Sequence, residues 1–100
     1  MKHIKMDFKL PNKTGFVIYS KNECIFCLKV KTLLNQRGLD FNEINCDEYI
    51  LRDKSCFLSF MSKMSMQTIN TFPVVFYNNH FIGGYNETAR FVEKLQVNFD

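Results

Sequence analysis

Apolar residues follow two different periods along the chain, and each period predicts a type of element. Positions 16–19 are continuously apolar, as expected for a strand that is covered on both faces. A second strand is predicted over 41–45. Two further strands, 74–77 and 80–82, flank Asn78-Asn79, a pair that tolerates the positive dihedrals of a tight hairpin.

A helical period follows three of these strands. It predicts helices over 25–37, somewhere within 48–64, and from Glu87 to about 97. Gly38 suits the C-terminal cap of the first helix, and Asp47 can cap the second. The apolar face of the middle helix is predicted to comprise Leu51, Cys56, Phe57, Phe60, Met61 and Met64.

The first residues alternate with a period of two. Ile4, Met6, Phe8 and Leu10 are separated by polar residues and precede a turn at 11–13. This pattern predicts a half-buried additional strand at the edge of the sheet. Residues 1–14 are therefore interpreted as an N-terminal extension of one domain that spans 1–100.

The order of elements indicates an α/β fold. A strand-helix-strand unit requires a crossover and parallel pairing, whereas the hairpin adds antiparallel strands. The sheet is thus predicted to be a mixed, central four-stranded sheet with helices on both faces, which resembles the thioredoxin-like fold.

Composition narrows the function classes. The 100 residues include 46% hydrophobic positions, four glycines and two prolines, which indicates a folded chain with one core. No apolar segment approaches the roughly 18 residues of a membrane span, and no signal-like stretch follows Met1, so we expect a cytoplasmic protein with no membrane partner. The net charge of +3 is spread along the chain, which gives little support to a nucleic-acid role.

Cys24 and Cys27 form a C-x-x-C pair at the start of the first predicted helix. Thiols three residues apart there can form a disulfide, and the positive helix end favours the first sulfur as a thiolate nucleophile. In a reducing compartment such a disulfide would be transient and catalytic. A buried structural pair or half of a zinc site remain alternatives.

Four motifs in order resemble the glutaredoxin family. They are Tyr19 to Cys27, then Val30-Lys31 with Leu33-Leu34, then Thr71-Phe72-Pro73, then Gly83 to Glu87. The similarity covers roughly 15–95. It implies a glutathione-dependent thiol-disulfide oxidoreductase that reduces glutathionylated proteins and protein disulfides. Its partners would be glutathione, as the reductant, and those proteins, and the chain is expected to act as a monomer.

The resemblance also implies residue roles. Cys24 would attack the mixed disulfide and Cys27 would resolve protein disulfides. Pro73 would follow a cis peptide bond. The residues implied in glutathione binding are Lys21, Phe26, Phe72, Pro73, Gly84, Tyr85, Asn86 and Glu87, with Lys21 at the glycyl carboxylate, the backbone of Phe72 at the cysteinyl part and Glu87 at the α-ammonium group.

Some positions depart from the family pattern and keep alternatives open. Ile25 stands where many family members have proline. In some members the absence of this proline accompanies a [2Fe-2S] cluster that bridges two subunits, so cluster binding is one alternative function. A thioredoxin-type general reductase is another, although Glu23 stands where thioredoxin has tryptophan. Gln67 is the candidate for a further glutathione contact. Cys46 and Cys56 are expected in the core, and no protein metal site is expected because their spacing suits zinc poorly.

Overall fold

The computed structural model describes residues 8–97. Within them, four strands and three helices alternate in the predicted order. In chain order they are β1 (Phe16–Ser20), α1 (Ile25–Gln36), β2 (Phe41–Asn45), α2 (Asp47–Ser65), β3 (Val74–Tyr77), β4 (His80–Gly83) and α3 (Tyr85–Val97).

The strands form one mixed sheet in the order β2-β1-β3-β4. β1 pairs parallel with β2 and antiparallel with β3, and β3 pairs antiparallel with β4. All five residues of β1 are buried because this strand is central and covered on both faces. Its C-terminal end therefore delivers the following loop to a fixed position beside the start of β3.

Helices cover both faces, which confirms the predicted thioredoxin-like architecture. Side chains of α1 and α3 pack on one face around Phe16, Ile18 and Val75. Phe57 and Met61 of α2 pack on the other face. The alternation of side chains along β1 assigns Phe16 and Ile18 to the first layer and Val17 and Tyr19 to the second.

Two tight turns have the predicted residues in left-handed conformations. Gly38 has a φ of 68°, its N–H donates to the carbonyl of Asn35, and the next N–H, of Leu39, donates to Leu34. This pair of bonds is a Schellman motif that closes α1. Asn78 and Asn79, with φ of 49° and 69°, form the β3-β4 hairpin as predicted.

The middle helix differs from the prediction because it contains a kink. Asp53 has a φ of −162° and a ψ of 85°, and its carboxylate accepts the N–H of Cys56, so the residue acts as an internal N-cap. The break changes which residues face the sheet. Leu51 and Cys56, which were predicted in the apolar face, are exposed, whereas Cys46 is buried as predicted.

The predicted helix starts also need correction. Asp47 does not cap α2; it is the first helical residue, and its carboxylate accepts the N–H of Asn22 in the loop after β1. Helix α3 begins at Tyr85, two residues before the predicted start. The predicted N-terminal strand lies partly outside the described residues, and residues 8–10 belong to no strand. There, Phe8 packs its ring against Phe60 of α2.

Gly38 gives a test of the helix end. No atom would meet a Cβ there within 4 Å, so substitution strains only the backbone. We expect Gly38→Ala to lower the free energy of unfolding by about 1–2 kcal/mol, since a left-handed backbone disfavours alanine. Gly38→Asn is the matched control, and it should cost less because asparagine tolerates that conformation. Urea denaturation measures both, and equal losses would contradict the explanation.

Candidate active site

The loop after β1 places the first cysteine at the end of a helix. Lys21, Asn22 and Glu23 are exposed, and Glu23 adopts a left-handed φ of 53° that turns the chain into α1. Asn22 is anchored, because its N–H donates to Asp47 and its side chain accepts from Asn45. The turn is therefore fixed between the first strand and the start of α2.

Cys24 is the N-cap of α1. Its sulfur accepts the backbone N–H of Cys27 at 3.2 Å and so occupies the place of a capping oxygen. The thiol also lies 3.7 Å from the carbonyl oxygen of Phe72. The sulfur therefore lies at the positive end of the α1 dipole, beside the N–H groups of the first turn.

Cys27 has the opposite environment one turn further along. Its residue is 1% exposed, within the apolar face of α1 beside Val30 and Leu34. Burial raises the pKa of its thiol to about 12, and the hydrogen bond with Cys24 acts in the same direction. The two thiols are therefore close but unequal, with Cys24 partly exposed and Cys27 protonated and shielded.

The Phe72-Pro73 peptide bond is cis, as the resemblance implies. Pro73 is buried at the entry to β3, next to the end of β1. The ring of Phe72 stacks on Phe57 of α2 with centroids 6.2 Å apart. This stacking holds Phe72 against α2, and its carbonyl oxygen faces the sulfur of Cys24.

The start of α3 forms the far side of the site. Glu87 accepts the N–H of Gly84 at 2.9 Å, which is half of a capping box. At Gly83, whose φ is 137°, a Cβ would lie 2.7 Å from the side chain of Glu87, so glycine permits this approach. Tyr85 lies 6.1 Å from Phe26 of α1, centroid to centroid, and links the two helix starts.

A polar cavity of about 260 Å³ lies between Pro73 and the start of α3. Gly84 and Glu87 line it on one side, and Gln67 and Thr68 line it on the other. The segment after α2 thus contributes to the same site, and it includes Gln67, the candidate for a further glutathione contact. Asn86 is exposed in the first turn of α3 and does not line this cavity.

A second, larger cleft of about 640 Å³ lies on the other side of the cysteines. Lys21 lines it together with Cys24 and Cys27. Lys31 and Glu43 complete its wall, and neither residue was singled out from the sequence for this site. The spacing of Cys27 and Lys31, four residues apart on one helix, was an available signal for the lysine. Glu43 lies on another strand, and its approach depends on the fold.

The structure does not gather the four cysteines into one metal site. Cys56 is exposed on α2, on the opposite face of the sheet from α1. Among residues 8–97, no group of three or more His, Cys, Asp or Glu side chains could hold a metal ion. A bridging [2Fe-2S] cluster would take one cysteine from each of two chains and two glutathione sulfurs, and the partly exposed Cys24 is the residue that would supply the protein ligand, so this alternative stays a prediction. None of the described helices is long and apolar enough to cross a membrane.

Comparison with known proteins agrees with this geometry. The sequence model of the family described as Glutaredoxin matches residues 16–82, which include the cysteine pair, the cis proline and three of the four strands completely. The chain belongs to the glutaredoxin family. Glutaredoxin-C6 of rice, Oryza sativa subsp. japonica, is 39% identical over 72 residues, which are 72% of this chain. The match spans only 61% of that relative's length.

Solved glutaredoxin structures have the same fold. Glutaredoxin 1 from Francisella tularensis, complexed with cacodylate, has a TM-score of 0.70 and 28% identity, over 81% of this chain and 94% of that one. The buckwheat glutaredoxin-glutathione complex has a TM-score of 0.68 and 26% identity, over 83% and 72%. One of these similar proteins therefore binds glutathione.

Alkylation tests the inequality of the two thiols. In a Cys56→Ser background, we expect iodoacetamide at about pH 7 to modify a Cys27→Ser variant at least about tenfold faster than a Cys24→Ser variant. The thiolate is the reactive form, and burial keeps Cys27 protonated. Because that pKa is raised, the rate at Cys27 should still be rising in the alkaline range. Mass spectrometry locates the adduct, and equal rates would contradict the assignment.

Proposed function

We propose that this glutaredoxin is a glutathione-dependent thiol-disulfide oxidoreductase that reduces glutathionylated proteins and protein disulfides. The observation that carries the proposal is the position of Cys24, whose sulfur caps α1 and faces the carbonyl of Phe72 while Cys27 is buried beneath. The glutathione bound to the buckwheat relative supports the choice of reductant.

The first step transfers glutathione to the enzyme. The Cys24 thiolate attacks the glutathione sulfur of a mixed disulfide, a Cys24-glutathione bond forms, and the protein sulfur leaves as a thiolate that takes a proton from solvent. The α1 end stabilises the nucleophile before the attack. Cys27 is not needed, because no proton or sulfur of that residue takes part.

A second glutathione then restores the thiol. Its thiolate attacks the sulfur of the bound glutathione, oxidised glutathione leaves, and Cys24 returns to the thiolate. With a protein disulfide, Cys24 instead forms a mixed disulfide with the protein, and Cys27 attacks Cys24, which releases the protein thiol and forms a Cys24–Cys27 disulfide. Two glutathiones then reduce that disulfide and leave as oxidised glutathione. A reducing compartment such as the cytoplasm would suit this cycle, because the glutathione pool is kept reduced there.

The proposed glutathione groove runs from Lys21, past Phe72, to the start of α3. Lys21 is exposed beside the cysteines and would pair with the glycyl carboxylate. The backbone of Phe72 would pair with the cysteinyl part, as an added short strand does. N–H groups of the first turn of α3, at Tyr85 and Asn86, would bind the α-carboxylate. Phe26 and Tyr85 flank the path between the helix starts.

Single cysteine variants test the proposed steps. Cys24→Ser should abolish reduction of a glutathionylated peptide, whereas Cys27→Ser should retain most of it, since only Cys24 exchanges with glutathione. Reduction of a protein disulfide should be lost in Cys24→Ser and slowed in Cys27→Ser, where only glutathione can release the protein. A glutathione-reductase-linked assay measures the first reaction. Equal loss of deglutathionylation in the two variants would exclude the one-thiol route.

Charge substitutions test glutathione recognition. We expect Lys21→Ala and Glu87→Gln each to raise the apparent KM for a glutathionylated peptide by about two- to fivefold, because exposed ion pairs contribute little each. Glutamine keeps the hydrogen bond to Gly84 and removes only the charge. The double variant should approach the product of the two effects, as the residues lie at opposite ends of the groove.

Lys54→Ala is the control for this experiment, since Lys54 is exposed on α2 and lines none of the clefts described above. The same variants are then assayed in a thioredoxin-reductase-linked reaction. A double variant that processes the glutathionylated peptide as well as the wild type would favour a general thioredoxin-type reductase over the glutathione mechanism.

A further inference from the structure

A partly buried ion pair lies in the wall of the larger cleft. The Lys31 ammonium is 2.8 Å from a carboxylate oxygen of Glu43, and the two side chains are 28% and 34% exposed. The hydroxyl of Ser20 donates to the same oxygen. Three elements, β1, α1 and β2, therefore fix one cation and one anion in place, which an exposed surface pair does not achieve.

This pair lies beside the resolving thiol. Lys31 follows Cys27 by four residues in α1, so the two side chains are neighbours on one helix face. Both residues line the cleft together with Glu43. The other titratable or charged groups around Cys27 are Cys24 at the N-cap, Lys21 and Glu23 in the preceding loop and Cys46 directly after β2.

Two opposite charges beside a sulfur that must ionise would act on it in opposite senses. A cation stabilises a thiolate and an anion destabilises it. Lys31 lowers the pKa of Cys27, against the larger effect of burial. Glu43 is itself held ionised, because the hydrogen bonds from Lys31 and Ser20 lower the pKa of its carboxyl against the opposing effect of partial burial.

We propose that the Lys31–Glu43 pair sets how readily Cys27 resolves a mixed disulfide. Lys31 promotes the resolving step, and Glu43 restrains it. Both are positioning residues, because neither touches the sulfur that exchanges. The proposal rests on the thiol-disulfide function proposed above and adds a determinant of its second thiol.

The step itself is balanced without another reactant. Cys27 gives its proton to water in the cleft, its thiolate attacks the sulfur of Cys24, and the bond between the two cysteines forms. The bond from Cys24 to its partner breaks, and the partner leaves as a thiolate that takes up a proton. The pair thus influences whether a mixed disulfide at Cys24 is resolved by a second glutathione or by Cys27.

A two-phase reaction isolates this step from glutathione recognition. In a Cys56→Ser background, the neutral reagent dithiodipyridine reacts with Cys24 and releases one coloured thiopyridone. Closure by Cys27 then releases a second. Stopped-flow absorbance gives both rates between about pH 6 and about pH 9. No glutathione is present, so the result does not depend on whether the proposed glutathione groove is correct.

Opposite shifts are expected from the two partners of the pair. Lys31→Met should slow the second phase by about two- to fourfold at every pH, and Glu43→Gln should accelerate it by a similar factor. A change of up to about one unit in thiol acidity is about half compensated by the change in nucleophilicity. Lys31→Arg, which keeps the charge, should retain the wild-type rate.

Lys54→Met and Glu48→Gln, exposed substitutions on α2 that remove the same charges, should leave both phases unchanged. If the ion pair only stabilised the fold, Lys31→Met and Glu43→Gln would change the rate of the second phase in the same direction. That result would overturn the proposal. An unchanged second phase in both variants would overturn it too. Loss of the first phase in all variants would instead argue against Cys24 as the nucleophile.

Discussion

One hydrogen bond organises the site, the bond from the Cys27 N–H to the sulfur of Cys24. It makes a reactive atom the cap of a helix, so the sulfur is held at the positive end of the helix dipole. The position of that helix start depends on β1, whose five residues are all buried. A shift of the strand would therefore move the sulfur relative to the carbonyl of Phe72.

The same geometry makes the two thiols unequal. The N-cap lies outside the helix and faces solvent, whereas the residue three positions later lies within the first turn and faces the sheet. Cys24 is thus accessible to a large substrate, whereas Cys27 is 1% exposed and lies beside the sulfur of Cys24. Burial protects Cys27 from external reagents but raises the pKa of its thiol. A nearby group that lowers this pKa therefore affects the rate of the second step.

Most of the fold could be predicted from the sequence, and so could the cysteine pair, the cis proline and the helix start that surround the site. Periodicity located every described strand, and the C-x-x-C pair located the start of α1 to the residue. The kink at Asp53 could not be predicted, because a single Asp inside an apolar period looks like an exposed helical residue until its side chain caps the next turn. The Lys31–Glu43 pair joins residues of two elements and follows from the β1-β2 register rather than from local spacing.

The ligand role proposed for Glu87 at the start of α3 is compatible with its contacts in the fold. One carboxylate oxygen of Glu87 accepts the N–H of Gly84 at 2.9 Å, while the other lies 3.8 Å from Arg90, whose side chain is 70% exposed. The first contact satisfies an N–H at the helix start. The second is a weak surface pair that costs little to break. An ammonium group of a bound ligand would therefore displace Arg90 and leave the cap intact, so binding need not disturb the helix that presents its N–H groups to the ligand.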